Sequence, residues 1–144
     1  MDGQAVIDSI VASFPDAKVA HGFGATFFSC DPEGKYPFAT VVPKDDDYDD
    51  MSDLDRPGVF RLSIGPGRER FLAIFGRDWE ATVHDPTALD RLMPHPIYGR
   101  QWWISVNAPS AATFGDIQPL LIEAHAIAVR RQAGRTPPAD AVDR

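Results

Sequence analysis

The chain has 144 residues, 44% of them apolar and 24% charged, which suits one globular domain and excludes a chain disordered throughout. Its formal charge of −7, with the 14 Lys and Arg dispersed along the sequence, argues against a nucleic-acid partner, because an acidic surface without a basic stripe repels phosphate. One cysteine, Cys30, allows no internal disulfide, and no run approaches the ~18 apolar residues of a membrane span, so with the non-basic start Met1-Asp2-Gly3-Gln4 the expected setting is the cytoplasm, with no membrane contact.

Val6, Ile7, Ile10, Val11 and Phe14 recur at helical spacing, with Asp2 as N-cap and Phe14-Pro15 as the stop, which predicts a helix over 3–14. A three-strand meander follows: 17–21, a glycine-rich turn, 25–30, the type I turn Asp31-Pro32-Glu33-Gly34, then 36–42 with Pro37 suited to an edge or an irregular start. After the polar stretch 44–57 comes a strand at 58–64. A short helix at 67–75 then carries Phe71, Leu72, Ile74 and Phe75 on its buried face, with Gly76 as its stop. Asp85-Pro86 has the pattern of a helix start, with Leu89 and Leu92 on one face, whereas Met93-Pro94-His95-Pro96 reads as irregular. A fifth strand spans 101–107. The last helix covers 113–132, its regular part starting near Asp116 so that Pro119 falls in the first turn, and it turns Leu120, Leu121, Ala124, Ile127 and Ala128 inward.

The order α-β-β-β-β-α-β-α predicts a two-layer α+β fold. Its sheet has about five strands, mainly antiparallel, with the N- and C-terminal helices packed on the Phe60/Leu62/Ile64 face. One domain is expected over 1–133, and a disordered tail over 134–144.

The Asp-rich stretch holds seven aspartates between Asp45 and Asp55. Counted as a calcium loop from Asp45, Asp47 and Asp49 fall at ligand positions, but Asp50 stands where Gly is needed and Arg56 where Glu is needed. Asp45, Asp47 and Asp49 therefore remain weak metal candidates, and a solvated turn is the preferred reading. Gly65-Pro66-Gly67-Arg68 lacks the third Gly of a dinucleotide fingerprint and the Lys-Ser/Thr of a P-loop, and reads as a tight turn. His21, His84, His95 and His125 show no metal-ligand spacing, and Cys30 has no CxxC partner, so neither a metal nor a cofactor is expected. Among the histidines, His95, between two prolines, is the best functional candidate.

Strand alternation places Phe60, Leu62 and Ile64 on one face, and Trp102, Ile104 and Val106 likewise. Arg61, Ser63, Trp103, Ser105 and Asn107 then fall on the far face. Arg and Trp among small polar groups form either a contact surface or a face covered by a loop such as 77–100.

Phe38-Ala39-Thr40-Val41-Val42, Asp53-Leu54-Asp55-Arg56-Pro57-Gly58-Val59-Phe60-Arg61-Leu62 and Leu92-Met93-Pro94-His95-Pro96 resemble an uncharacterised bacterial family known only as a domain of unknown function. The resemblance runs over roughly residues 5–132 and implies no activity. More distantly, the element order and the Trp-rich fifth strand are similar to the MmcQ/YjbR-like proteins, which implies their α+β fold and, by analogy alone, DNA binding. The charge of −7 weighs against that carry-over.

With no acid–base, nucleophile or metal pattern, a binding or interaction module is favoured over an enzyme. Its expected surface comprises Arg56, Arg61, His95, Tyr98, Trp103 and Asn107, serving either an unidentified small molecule or a homodimer. The enzyme alternative is metal-assisted hydrolysis at the Asp-rich loop.

Overall fold

A computed structural model describes residues 1–135 of the chain. Most of the expected tail lies outside the described residues, while Gly134 and Arg135 close the last helix. Within 1–135, six strands form one antiparallel sheet in the order β1-β2-β3-β4-β6-β5. They are β1 (Lys18–Gly22), β2 (Ala25–Ser29), β3 (Pro37–Val42), β4 (Arg61–Ile64), β5 (Leu92–Pro94) and β6 (Ile104–Asn107). The helices are α1 (Gly3–Ser13), α2 (Arg68–Phe75), α3 (Ala111–Asp116) and α4 (Gln118–Arg135).

Helices α1 and α3 begin where side-chain oxygens accept otherwise unpaired backbone donors. Asp2 caps α1 by accepting from the Ala5 amide at 2.8 Å, and Ser110 caps α3 by accepting from the Thr113 amide at 3.2 Å. Val6 and Ile10 of α1 and Leu120, Leu121 and Ala124 of α4 are buried. They join one core with Phe28, Ala39, Val41, Leu62, Ile64, Ile104 and Val106 of the sheet. The strand partners Phe28–Ala39, Ala39–Ile64 and Ile64–Ile104 keep these apolar side chains in register across the sheet. The register slips between Phe28 and Ser29, and Phe38, which pairs with neither, meets Phe14 edge-on at 5.7 Å. The two-layer α+β architecture and the helix-covered Leu62/Ile64 face are as the periodicity predicts.

Several local expectations are corrected. The sheet has six strands, because Leu92–Pro94 pairs with β6. Its position at the edge lets Pro94 lack a donor without breaking a ladder. No helix starts at Asp85-Pro86. The Asp85 carboxylate accepts from the Thr87 amide at 3.0 Å, and the side chain of Asn107 donates to the carbonyls of Pro86 and Ala88, so tertiary hydrogen bonds hold these groups outside a helix. The expected 113–132 helix is two: α3 begins at Ala111 and ends at Asp116, and α4 begins at Gln118, so Pro119 falls in its first turn as expected, where its missing donor costs little. Strand β4 starts at Arg61 and β6 at Ile104; Trp102 before it is left-handed, with φ 68°. Ile74 is exposed, so Phe71 alone anchors α2 deeply, with Phe75, Trp79 and Trp102 around its ring.

Beyond β4, Gly65 allows a close approach. A Cβ there would stand 2.9 Å from Cε2 of Trp103, whose indole is a rigid plate. Gly65→Val is expected to destabilise the protein by about 1–3 kcal/mol through overpacking. Gly115→Ala, within α3 and with open space around it, should stabilise by about 0.4–1 kcal/mol. Urea denaturation of both variants against the parent checks the pair.

Candidate binding cavity

Period-two alternation turns Arg61 and Ser63 of β4 and Ser105 and Asn107 of β6 away from the helices, yet all four are at most 1% exposed. The far face at these positions is thus no open contact surface. The Asp-rich loop and the 85–98 segment cover it, and the expectation of an exposed Arg61 and Asn107 is corrected. A buried guanidinium is costly unless its charge and donors are met. Arg61 Nη1 donates to Asp49 Oδ1 at 2.8 Å and to Ser52 Oγ at 3.2 Å, Nη2 donates to Asp49 Oδ2, and Nε donates to Ser63 Oγ at 3.3 Å. Burial opposes ionisation of Asp49, but the Arg61 fork outweighs it and holds the carboxyl below its usual range.

The aspartates around this pair serve the loop's own backbone. Asp46 Oδ1 accepts from the amides of Tyr48 and Asp49, Asp45 Oδ1 from the Leu54 amide, and Asp55 Oδ1 from the Asp45 amide. Arg56 donates to the carbonyls of Asp53, Ser52 and Thr87, tying the loop to the 85–88 segment. The stretch is therefore more than a solvated turn. With Asp49 committed to Arg61 and Asp45 to a backbone amide, the three candidates Asp45, Asp47 and Asp49 do not converge on a common point.

The covering segments leave a cavity of about 870 Å³. Phe27 of β2, Thr40 of β3, Arg61 and Ser63 of β4, Gly65 just past β4 and Trp103 just before β6 line it from the sheet side. The acidic stretch 46–49, His95, Tyr98 and Gln101 line it from the loops. At its other end it reaches Cys30, Tyr36 and the α4 residues Ala124, Ile127 and Arg131. Of the six expected surface residues, Arg61, His95, Tyr98 and Trp103 come together on this cavity, whereas Arg56 and Asn107 act as braces of the loops around it. Thr40, Tyr48 and Phe27 escape sequence reasoning. Period two from Ala39 and Phe28 would have placed Thr40 and Phe27 on the far face; nothing local marks Tyr48.

His95 is fixed by its own loop. Its amide donates to the Trp103 carbonyl at 3.0 Å, and its Nδ1 accepts from the amides of Ile97 (3.1 Å) and Tyr98 (3.0 Å). Two fixed donors at Nδ1 require the neutral tautomer with hydrogen on Nε2. Burial first, and the Arg61 charge second, push its pKa down to about 3, against the opposing pull of Asp49. Such a ring is a poor general base at neutral pH and a good fixed donor. Burial, and then the hydrogen bond with Tyr48, push the Tyr98 hydroxyl above its ordinary value. At the far end the Cys30 thiol is pushed up by burial, Asp16 and Asp31, the opposite of an activated nucleophile. The arrangement offers a shaped apolar wall, fixed donors and hydroxyls, and holds ligands better than it moves protons.

These features define a small α+β domain whose antiparallel sheet packs its apolar face on helices, with a cavity walled by the far-face loops at one end and by α4 at the other. Residues 1–137 match the model of a family of unknown function (DUF6194), and the chain belongs to that family. No curated protein and no solved structure matches the chain. The resemblance to an uncharacterised family is thereby shown; no match extends it to the MmcQ/YjbR-like proteins.

Asp49→Ala strands the Arg61 charge in the interior and is expected to cost about 3 kcal/mol or more, whereas exposed Asp47→Ala should stay within about 0.5 kcal/mol; chemical denaturation at pH 7 compares them. His95 adds a pH signature. Its folded pKa lies below the unfolded value, so its stabilisation is complete above pH ~6.5 and declines as pH falls toward 3. The expected slope is about 1.4 kcal/mol per pH unit below pH 6, ahead of the carboxylates that titrate near 4. His95→Asn keeps an acceptor for the two amides and should flatten the slope between pH 6 and about 4.5, read from urea midpoints across pH.

Proposed function

We propose that the chain is a cytoplasmic, single-domain binding module whose cavity holds a compact amphipathic small molecule. The carrying observation is the cavity itself: about 870 Å³, within the usual range for ligand sites, with Phe27 and Trp103 as apolar walls and a few fixed polar groups. Asp49 neutralises Arg61, so the module suits a neutral or zwitterionic ligand better than a multiply charged anion. Apolar rings of the ligand lie against Trp103, and its polar atoms meet Thr40, Ser63 and Tyr98. No helix among the described residues is long and apolar enough to cross a membrane, and the single thiol accords with a reducing compartment. A homodimer through this face gains little support from a surface whose Arg61 and Asn107 are buried by their own chain. The hydrolytic alternative is weakened by the commitment of Asp45 and Asp49 to other partners.

Nile red, a neutral apolar dye, tests the reading. The parent should give a saturable, blue-shifted emission at about one dye per chain. Thr40→Trp, which puts a large ring into the cavity from a strand position, should weaken binding about tenfold or more with the melting transition retained. Dye uptake that never saturates, or equal uptake by the folded variant, would count against the cavity as a ligand site.

A further inference from the structure

Asp16, in the turn after α1, Cys30, just past β2, and His125, in the middle of α4, are far apart in sequence but lie together in space. One ligand-capable atom from each falls within 4.8 Å of the other two. His125 Nε2 lies 3.0 Å from both carboxylate oxygens of Asp16, a contact across 109 positions. We propose that these three side chains form a binding site for a single divalent transition-metal ion, with zinc the best match to a sulfur, nitrogen and oxygen donor set.

The donor chemistry carries the choice of ion. Thiolate, imidazole and carboxylate together suit zinc, while magnesium and calcium are held by oxygen alone. Zinc bonds of about 2.0–2.3 Å place tetrahedral ligands roughly 3.3–3.8 Å apart, so the widest separation in the cluster needs to contract by about 1–1.5 Å at most. Asp16, the most exposed of the three, sits in a turn and supplies that movement. The other two donors are already held in place. The His125 ring stacks on Phe14 at 4.6 Å and meets Phe38 edge-on at 5.4 Å, and Cys30 packs against the core. Loading releases the thiol proton to solvent as the sulfur–metal bond forms, with no change of oxidation state. Two anionic donors then balance the dication. Three protein ligands leave the fourth position to water or to an external donor, the pattern of open rather than purely structural zinc sites.

A hydrolytic Cys–His–Asp triad fits less well. It needs one imidazole nitrogen on the thiol and the other on the carboxylate. Here Nε2 meets both oxygens of Asp16, and one ligand-capable atom of each of the three residues lies within 4.8 Å of the other two, a mutual convergence that suits a shared ion rather than a linear relay.

Cys30 also borders the far end of the cavity, but the metal site is tested with the ion alone and needs no cavity ligand. Tag-free full-length protein is freed of metal with a chelator and titrated with Zn²⁺ by calorimetry and with Co²⁺ by absorption. The expected result is one equivalent bound, with a sulfur-to-cobalt charge-transfer band in the near ultraviolet. Cys30→Ser should abolish the band, and Asp16→Asn should weaken Zn²⁺ binding by about tenfold or more. Asp16→Asn changes an exposed turn residue, so the fold survives it, and circular dichroism confirms this. No binding below millimolar Zn²⁺, no charge-transfer band, or unchanged affinity in both variants would overturn the assignment.

Discussion

A guanidinium stands in the middle of a sheet in this protein, and the far side of the fold is organised around it. Arg61 lies on a central strand, in register with Val42 on one side and Asn107 on the other, and is 1% exposed. A charge in that position must be paired, and its donors need acceptors. Asp49, Ser52 and Ser63 supply them, and two of these come from the Asp-rich loop. The loop is thereby pinned across the sheet, and three of its other aspartates, Asp45, Asp46 and Asp55, fold it by accepting from its own amides. What reads as a solvated acidic turn in sequence is a structural cover of the sheet in three dimensions.

The same constraint makes the cavity. A far face of Val and Ile would collapse against whatever covered it. A face carrying Arg61, Ser63, Ser105 and Asn107 keeps polar groups that need specific partners, so its cover is held at a few points rather than packed throughout. Asn107 recruits the carbonyls of Pro86 and Ala88, and the 95–98 turn is stapled to Trp103. Between these braces remains the space beside Thr40, Gly65 and Trp103. Its histidine is held neutral by burial and by two amides directed at Nδ1, which makes that wall a fixed hydrogen-bonding surface. Rigid donors and aromatic plates are the equipment of recognition.

Period two and period 3.6 were readable from the sequence wherever one face of an element is apolar. Leu62 and Ile64, Ile104 and Val106, and Leu120, Leu121 and Ala124 each announced their buried sides, and Asp2 announced its cap, because hydrophobic burial and capping are local in sequence. The helix-covered sheet followed from these. The β5 strand did not, since three residues ending in proline carry no periodic signal and owe their conformation to pairing with β6. Asp85-Pro86 misleads for the complementary reason: a good local helix start yields to hydrogen bonds from Asn107, about twenty positions away.

Arg61, His95, Tyr98 and Trp103 could be named from the sequence as residues with unusual chemistry for their positions, but whether they were exposed or covered could not. That depended on which loop crossed the sheet, and the crossing is set by one ion pair whose acid is one of seven neighbouring aspartates. Only the tertiary structure chose Asp49. It alone also brought Asp16, Cys30 and His125 together, because a turn, a strand end and a helix meet at one end of the two layers. Sequence determines the faces of each element, since burial repeats along the chain. Which distant side chains share a point in space is decided by packing, and no local pattern encodes it.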